Sequence, residues 1–72
     1  MKPVYTVRPS SREPNAYRVR AWYPLQAVET LFGVGNVREF DRVTLTDGTP
    51  ALIYQYGNAD HVAIVTGGDI SA

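Results

Sequence analysis

Seventy-two residues with no cysteine, one histidine, and seven basic against seven acidic side chains leave little room for several classes of protein. A single domain of this size sits near the lower limit at which an apolar core alone outweighs chain entropy, and without cysteine there is neither a disulfide nor a Cys-ligated zinc site to help. Aliphatic and aromatic residues make up 44% of the chain, which excludes a disordered segment, and no apolar run approaches the roughly 20 residues that span a bilayer.

The opening Met-Lys-Pro-Val-Tyr lacks the apolar stretch of a signal peptide, so the expectation is a soluble, cytoplasmic protein. Charge is unevenly distributed. Residues 1–20 carry Lys2, Arg8, Arg12, Arg18 and Arg20 against Glu13, a balance of +4; residues 21–72 carry Arg38 and Arg42 against six carboxylates, a balance of −4. Such asymmetry can create one basic and one acidic surface and steer docking onto a charged partner, unless folding brings the two sets side by side.

In chain order, Val4-Tyr5-Thr6-Val7 is rich in β-branched and aromatic residues and predicts a strand. Pro9 to Asn15, with two prolines and polar turn formers, predicts a mobile loop. From Ala16 to Tyr23 the pattern alternates, with Tyr17, Val19, Ala21 and Tyr23 on one face and Arg18, Arg20 and Trp22 on the other; a second strand, antiparallel to the first, follows. Pro24 suits the first turn of a helix and Gly33 the residue past its end, with Leu25, Val28, Leu31 and Phe32 as the packing face. Such a helix is too short to persist without a sheet beneath it.

Val37 to Tyr56 reads as a β-hairpin around Asp47-Gly48. A two-residue loop sets Val43 opposite Leu52, Asp41 opposite Tyr54 and Leu45 opposite Pro50, with Val43, Leu45, Leu52 and Tyr54 sharing one face. A three-residue loop, Thr46 to Gly48 with a bulge at the glycine, shifts the pairing by one; both registers fit the sequence. Pro50 cannot donate to a ladder and belongs at an edge, a turn or a bulge. His61 to Thr66 contains four consecutive apolar residues and predicts a strand covered on both sides. The chain therefore predicts one α+β domain over residues 1–68, an antiparallel sheet of four to five strands with one short helix packed on it, and a frayed tail at 69–72 whose one anchor is Ile70.

Candidate chemistry is sparse. His61 with Asp60, Asp41 or Asp47 has no third group to complete an acid-base site, Gly33-Val34-Gly35 follows a helix instead of opening one, and Asp41, Asp47, Asp60 and Asp69 lack the spacing of a calcium loop. The expectation is a non-enzymatic protein with no catalytic residue, metal or cofactor. Arg18, Arg20 and Trp22 share a strand face that Arg8 can join, with Arg12 on the loop beside them. An Arg and Trp surface can anchor a protein partner, can grip nucleic acid, or can be two solvated arginines beside a tryptophan turned inward.

The short chain, the Met-Lys-Pro opening, the Arg-rich first strands and the acidic second half resemble the small transcription regulators that Xanthomonas phages make to bind host RNA polymerase. The resemblance implies a non-enzymatic protein that binds the polymerase near the N-terminal part of its β′ subunit, blocks initiation and promotes antitermination; a free monomer with no membrane and no sequence-specific nucleic acid as partner is also expected. Arg8, Arg12, Arg18, Arg20 and Trp22 are then the partner-binding residues expected from charge and aromatic content. Two rivals remain: a phage inhibitor of another host complex, such as an anti-CRISPR, docking through Glu29, Glu39, Asp41 and Asp60, and a small β-barrel nucleic-acid binder curled around Phe40, Val43, Ile53 and Ile64.

Overall fold

A computed structural model describes residues 1–9, 15–57, 61–68 and 70. Its elements run β1 (Val4–Pro9), β2 (Tyr17–Arg20), α1 (Pro24–Phe32), β3 (Val37–Thr44), β4 (Pro50–Tyr56) and β5 (His61–Gly67). All pairings are antiparallel, in the order β2-β1-β5-β4-β3, so the expected α+β architecture is present. The loop expected to be mobile lies largely outside the described residues, as does most of the expected tail; Ile70 packs against the core.

Registry explains the core. Tyr5 lies opposite Val19, Val7 opposite Val65, Val65 opposite Leu52 and Ala63 opposite Tyr54, which brings the alternating apolar residues of four strands onto one face. Ala27 and Val28 of α1 close that face, and Leu25, Phe32, Val37, Tyr56 and Ile70 pack around them. Burying a side chain of Val or Leu size contributes about 1.5–3 kcal/mol, and this single layer has to supply nearly all of it.

The helix begins and ends where its sequence requires. Tyr23 is extended at the N-cap, Pro24 occupies the first turn, and Gly33 at φ 98° donates its N–H to the Glu29 carbonyl at 2.8 Å. Leu31 departs from its expected place on the packing face and stays exposed; Ala27 is buried in its stead, and the last turn is held by Phe32, whose ring stacks on Tyr56 at 3.8 Å.

β5 corrects a second expectation. Ala63 and Val65 are buried, but Val62 and Ile64 are only half-buried, because α1 covers one face of the sheet and no helix among the described residues covers the other. The apolar run reflects the strand's central position between β1 and β4, where both backbone edges are paired.

The hairpin adopts the three-residue loop. Leu45 N–H donates to the Thr49 carbonyl at 2.8 Å and Gly48 N–H to the Leu45 carbonyl at 2.9 Å. Val43 therefore faces Ala51, Arg42 faces Leu52 and Asp41 faces Ile53, one step from the two-residue register. The reason lies in Asp47: a two-residue loop would put it at positive φ, whereas here the left-handed position falls on Gly48 at φ 90° and the Asp47 carboxylate accepts the Thr49 N–H at 2.9 Å. A hydrogen bond from the Thr49 side chain, with this backbone bond second, holds the Asp47 carboxyl below the usual carboxylate range. A second shift between Glu39 and Asp41 leaves Phe40 as a bulge. The expected face of Val43, Leu45, Leu52 and Tyr54 is thus split, with Leu52 and Tyr54 under the helix and Val43 beside Ala51 and Ile53 on the opposite face. Pro50 sits beyond the β4–β5 ladder, which starts at Leu52, so its missing N–H leaves no gap.

Candidate functional site

Strand alternation and antiparallel register together place the basic residues. Val4 pairs with Arg20 and Thr6 with Arg18, so Arg18 and Arg20 stand on the face opposite α1, beside Thr6 and Val4. Arg8 shares that face but lies past the end of the β1–β2 ladder, opposite Ile64 of β5. Continuing the register the other way brings Lys2 opposite Trp22, and the Lys2 ammonium sits 5.7 Å from the indole centroid, within cation–π range.

Four cations and one indole therefore form a stripe along one margin of the sheet, Lys2 and Trp22 at one end, Arg20 and Arg18 in the middle and Arg8 at the other. It runs about 20 Å, six residues at strand rise. Every member is exposed, and Trp22 is 56% accessible, which removes the alternative in which the indole turns under the helix. The structure unites four of the five predicted residues, while Arg12 lies outside the described residues. Lys2 lies outside the expected set; parity along Lys2, Val4, Thr6 and Arg8 puts it on the Arg8 face, but only the register with β2 sets it across from Trp22.

The other constellations do not converge. His61 is exposed at the start of β5, its ring 5.3 Å from that of Tyr56, which stacks on Phe32. The Asp41 carboxylate accepts the Arg42 N–H at 2.7 Å and Asp47 is engaged with Thr49, while Asp60 and Asp69 lie outside the described residues. Among the described residues no group of three or more His, Asp or Glu side chains could hold a metal. Glu39 and Asp41 fall on opposite faces because of the bulge at Phe40, and Glu29 is half-buried on α1, so the acidic surface of the mimic reading is not assembled by these three. Nor does the sheet close into a barrel, since β2 and β3 stand at opposite ends of it and Phe40 is exposed.

A concavity of about 330 Å³ opens between the start of α1 and β3–β4, lined by Tyr23, Leu25, Glu39, Arg42, Tyr54 and Ile70 among others. Burial, reinforced by the Glu39 charge, pushes the Tyr54 phenol up to about 12. At neutral pH that phenol is a hydrogen-bonding group and no base. Among the described residues, no helix is long and apolar enough to cross a membrane.

Comparison with protein-family models finds no match to the chain, and comparisons with curated proteins and with solved structures find none.

Proposed function

We propose that this chain is a non-enzymatic binding protein that docks the stripe of Lys2, Arg8, Arg18, Arg20 and Trp22 on an acidic surface of a larger bacterial complex in the host cytoplasm. The observation that carries the reading is the gathering of four cations and an exposed indole on one margin of a sheet in a protein of zero net charge. Trp and Arg dominate interface energetics when they are desolvated together, and about 800 Å² per partner is within reach of a domain this small. The first partner to test is RNA polymerase, near the N-terminal part of β′, because size, charge layout and the Met-Lys-Pro opening resemble the phage regulators of that enzyme. Occupying a surface that differs between initiating and elongating polymerase would suffice to block initiation and favour read-through of terminators, with no catalysis.

Purified polymerase captured by the immobilised protein in the presence of nuclease tests this directly. Arg18→Glu with Arg20→Glu is expected to fold normally and to lose capture, with Trp22→Ala accelerating dissociation and the arginine changes slowing association. Undiminished capture by the folded double variant refutes the assignment of the stripe, and failure of the natural protein to capture polymerase refutes the partner.

A further inference from the structure

Backbone geometry at the same margin carries the reading one step further. In an antiparallel pair, residues alternate between those that exchange hydrogen bonds with the neighbouring strand and those whose N–H and C=O point away from it. Ala21 N–H donates to the Pro3 carbonyl at 3.1 Å, so Ala21 is a bonded position, and by alternation so are Val19, opposite Tyr5, and Tyr17, opposite Val7. The backbone groups of Arg18 and Arg20 therefore point outward, along an edge that pairs with no other strand among the described residues. The next outward donor, Trp22 N–H, is already taken by the Gln26 side chain at 2.7 Å, which ends the open edge there.

The opposite margin is built differently. In β3 the ladder is interrupted at Phe40, and Asp41 takes the Arg42 N–H with its own carboxylate. A bulge and a side chain that caps the backbone are devices by which edge strands refuse a partner. A second copy pairing antiparallel along β2 would set Arg18 opposite Arg20, and a shift of register by two residues would still set an arginine opposite its own copy; like charges directly opposite one another are unfavourable. The open edge thus repels itself while offering backbone donors and acceptors at the two residues that carry the charge.

We propose that β2 is a strand-addition edge, and that its occupant is an extended acidic segment of a partner protein, with Asp or Glu at alternate positions opposite Arg18 and Arg20 and an apolar or aromatic side chain reaching Trp22. Main-chain bonds would give affinity and the alternate side chains selectivity, the usual division in strand addition. The choice of an acidic protein strand over nucleic acid follows from the backbone: a row of outward N–H and C=O groups at strand spacing matches a peptide and has no counterpart in a phosphodiester chain. This deepens the proposed binding function and rests on it, since both use the same margin.

The test uses the whole protein, isotopically labelled, with a short blocked peptide of alternating glutamate and threonine, its lysine counterpart, and the glutamate peptide N-methylated at the glutamates. The methylated peptide has the same charge but cannot pair. Slowed exchange of the Arg18 and Arg20 amides with the glutamate peptide, little effect of the lysine peptide, and about tenfold or greater weakening by methylation are expected for two lost main-chain bonds. In the protein, Arg18→Pro, which removes an outward N–H without touching the bonds to β1, is expected to bind more weakly than Arg18→Gln, which removes the charge alone. Equal binding of the methylated and unmethylated peptides, protection confined to β3, or displacement of the peptide by single-stranded oligonucleotide with no amide protection would overturn the proposal. If the Arg18→Glu, Arg20→Glu protein loses polymerase while peptide methylation has no effect, the binding face stands and strand addition falls; if the natural protein fails to capture polymerase but its Arg18 and Arg20 amides are protected, the edge stands and the partner falls.

Discussion

The Gly68 backbone lies against the buried Tyr5 ring, so close that a Cβ placed on it would come within 2.6 Å of the ring's Cζ. Tyr5 is fully buried at the centre of the core, and Gly68 at φ 57° adopts a conformation that side chains resist. Gly68→Ala should therefore destabilise the protein by about 3 kcal/mol, combining overpacking with a left-handed backbone penalty. Gly35→Ala shares the positive φ but meets nothing within 4 Å, so its cost should stay at about 1–2 kcal/mol, the conformational part alone. Thermal unfolding of the two variants separates the effects; equal shifts would mean that the Tyr5 ring yields without cost.

The last turn of α1 depends on one aromatic contact. Phe32 and Tyr56 stack with centroids 3.8 Å apart and an interplanar angle of 11°, and the His61 ring lies tilted 5.3 Å from Tyr56. Phe32→Ala should cost about 2–3 kcal/mol, less than the roughly 3–5 kcal/mol usual for truncating a fully buried Phe, because the ring is only half-buried. A double-mutant cycle with Tyr56→Ala should return a coupling of about 0.5–1.5 kcal/mol, the increment of an aromatic pair beyond its area. A coupling near zero would place the helix's anchorage at Val28 and Leu25 instead.

What the sequence disclosed, and what it withheld, follows from the range of each interaction. Pro24 and Gly33 bracket the helix because their backbone constraints are local, and alternation in Tyr17 to Arg20 is local too. The hairpin register was decided by whether Asp47 or Gly48 alone takes positive φ, a small energy that the Thr49 N–H tips, and the bulge at Phe40 then reset the faces again. Neither is visible in polarity, since Val43 and Leu52 are equally apolar. The stripe was partly legible because Arg18, Arg20 and Trp22 share parity; its extension to Lys2 needed the register that sets Lys2 across from Trp22.

Gly48 has open space around the position of a Cβ, so Gly48→Ala should cost about 1–2 kcal/mol from backbone conformation only. Asp47→Ala should weaken the hairpin through loss of the acceptor for the Thr49 N–H, and it should do so in a pH-dependent way. Because the folded carboxyl is held below its unfolded value, its contribution is present above the ordinary carboxylate pKa and disappears as pH falls through the lower folded one. Urea unfolding of the natural protein and Asp47→Ala at neutral and acid pH should converge in acid; a gap that persists at low pH would assign the role of Asp47 to something other than its charge.

Tyr54 supplies the opposite pH dependence. Its phenol, buried beneath the start of α1 with Glu39 nearby, is raised to about 12, whereas the unfolded chain releases the same proton near pH 10. Between those values the unfolded state has lost a proton that the folded state still holds, so unfolding is favoured as pH rises. Stability is therefore full below about pH 10 and declines until about pH 12, by about 1–2 kcal/mol once partial solvent screening of the group is allowed for. Tyr54→Phe keeps the ring and removes the proton, so its stability should fall less across the same alkaline range even though its value at neutral pH differs from that of the natural protein. Denaturant midpoints followed from about pH 9 to about pH 11.5 give the two slopes. Parallel slopes would show that Tyr54 ionises without resistance from the fold, and that the concavity beside Glu39 and Arg42 admits water to the phenol.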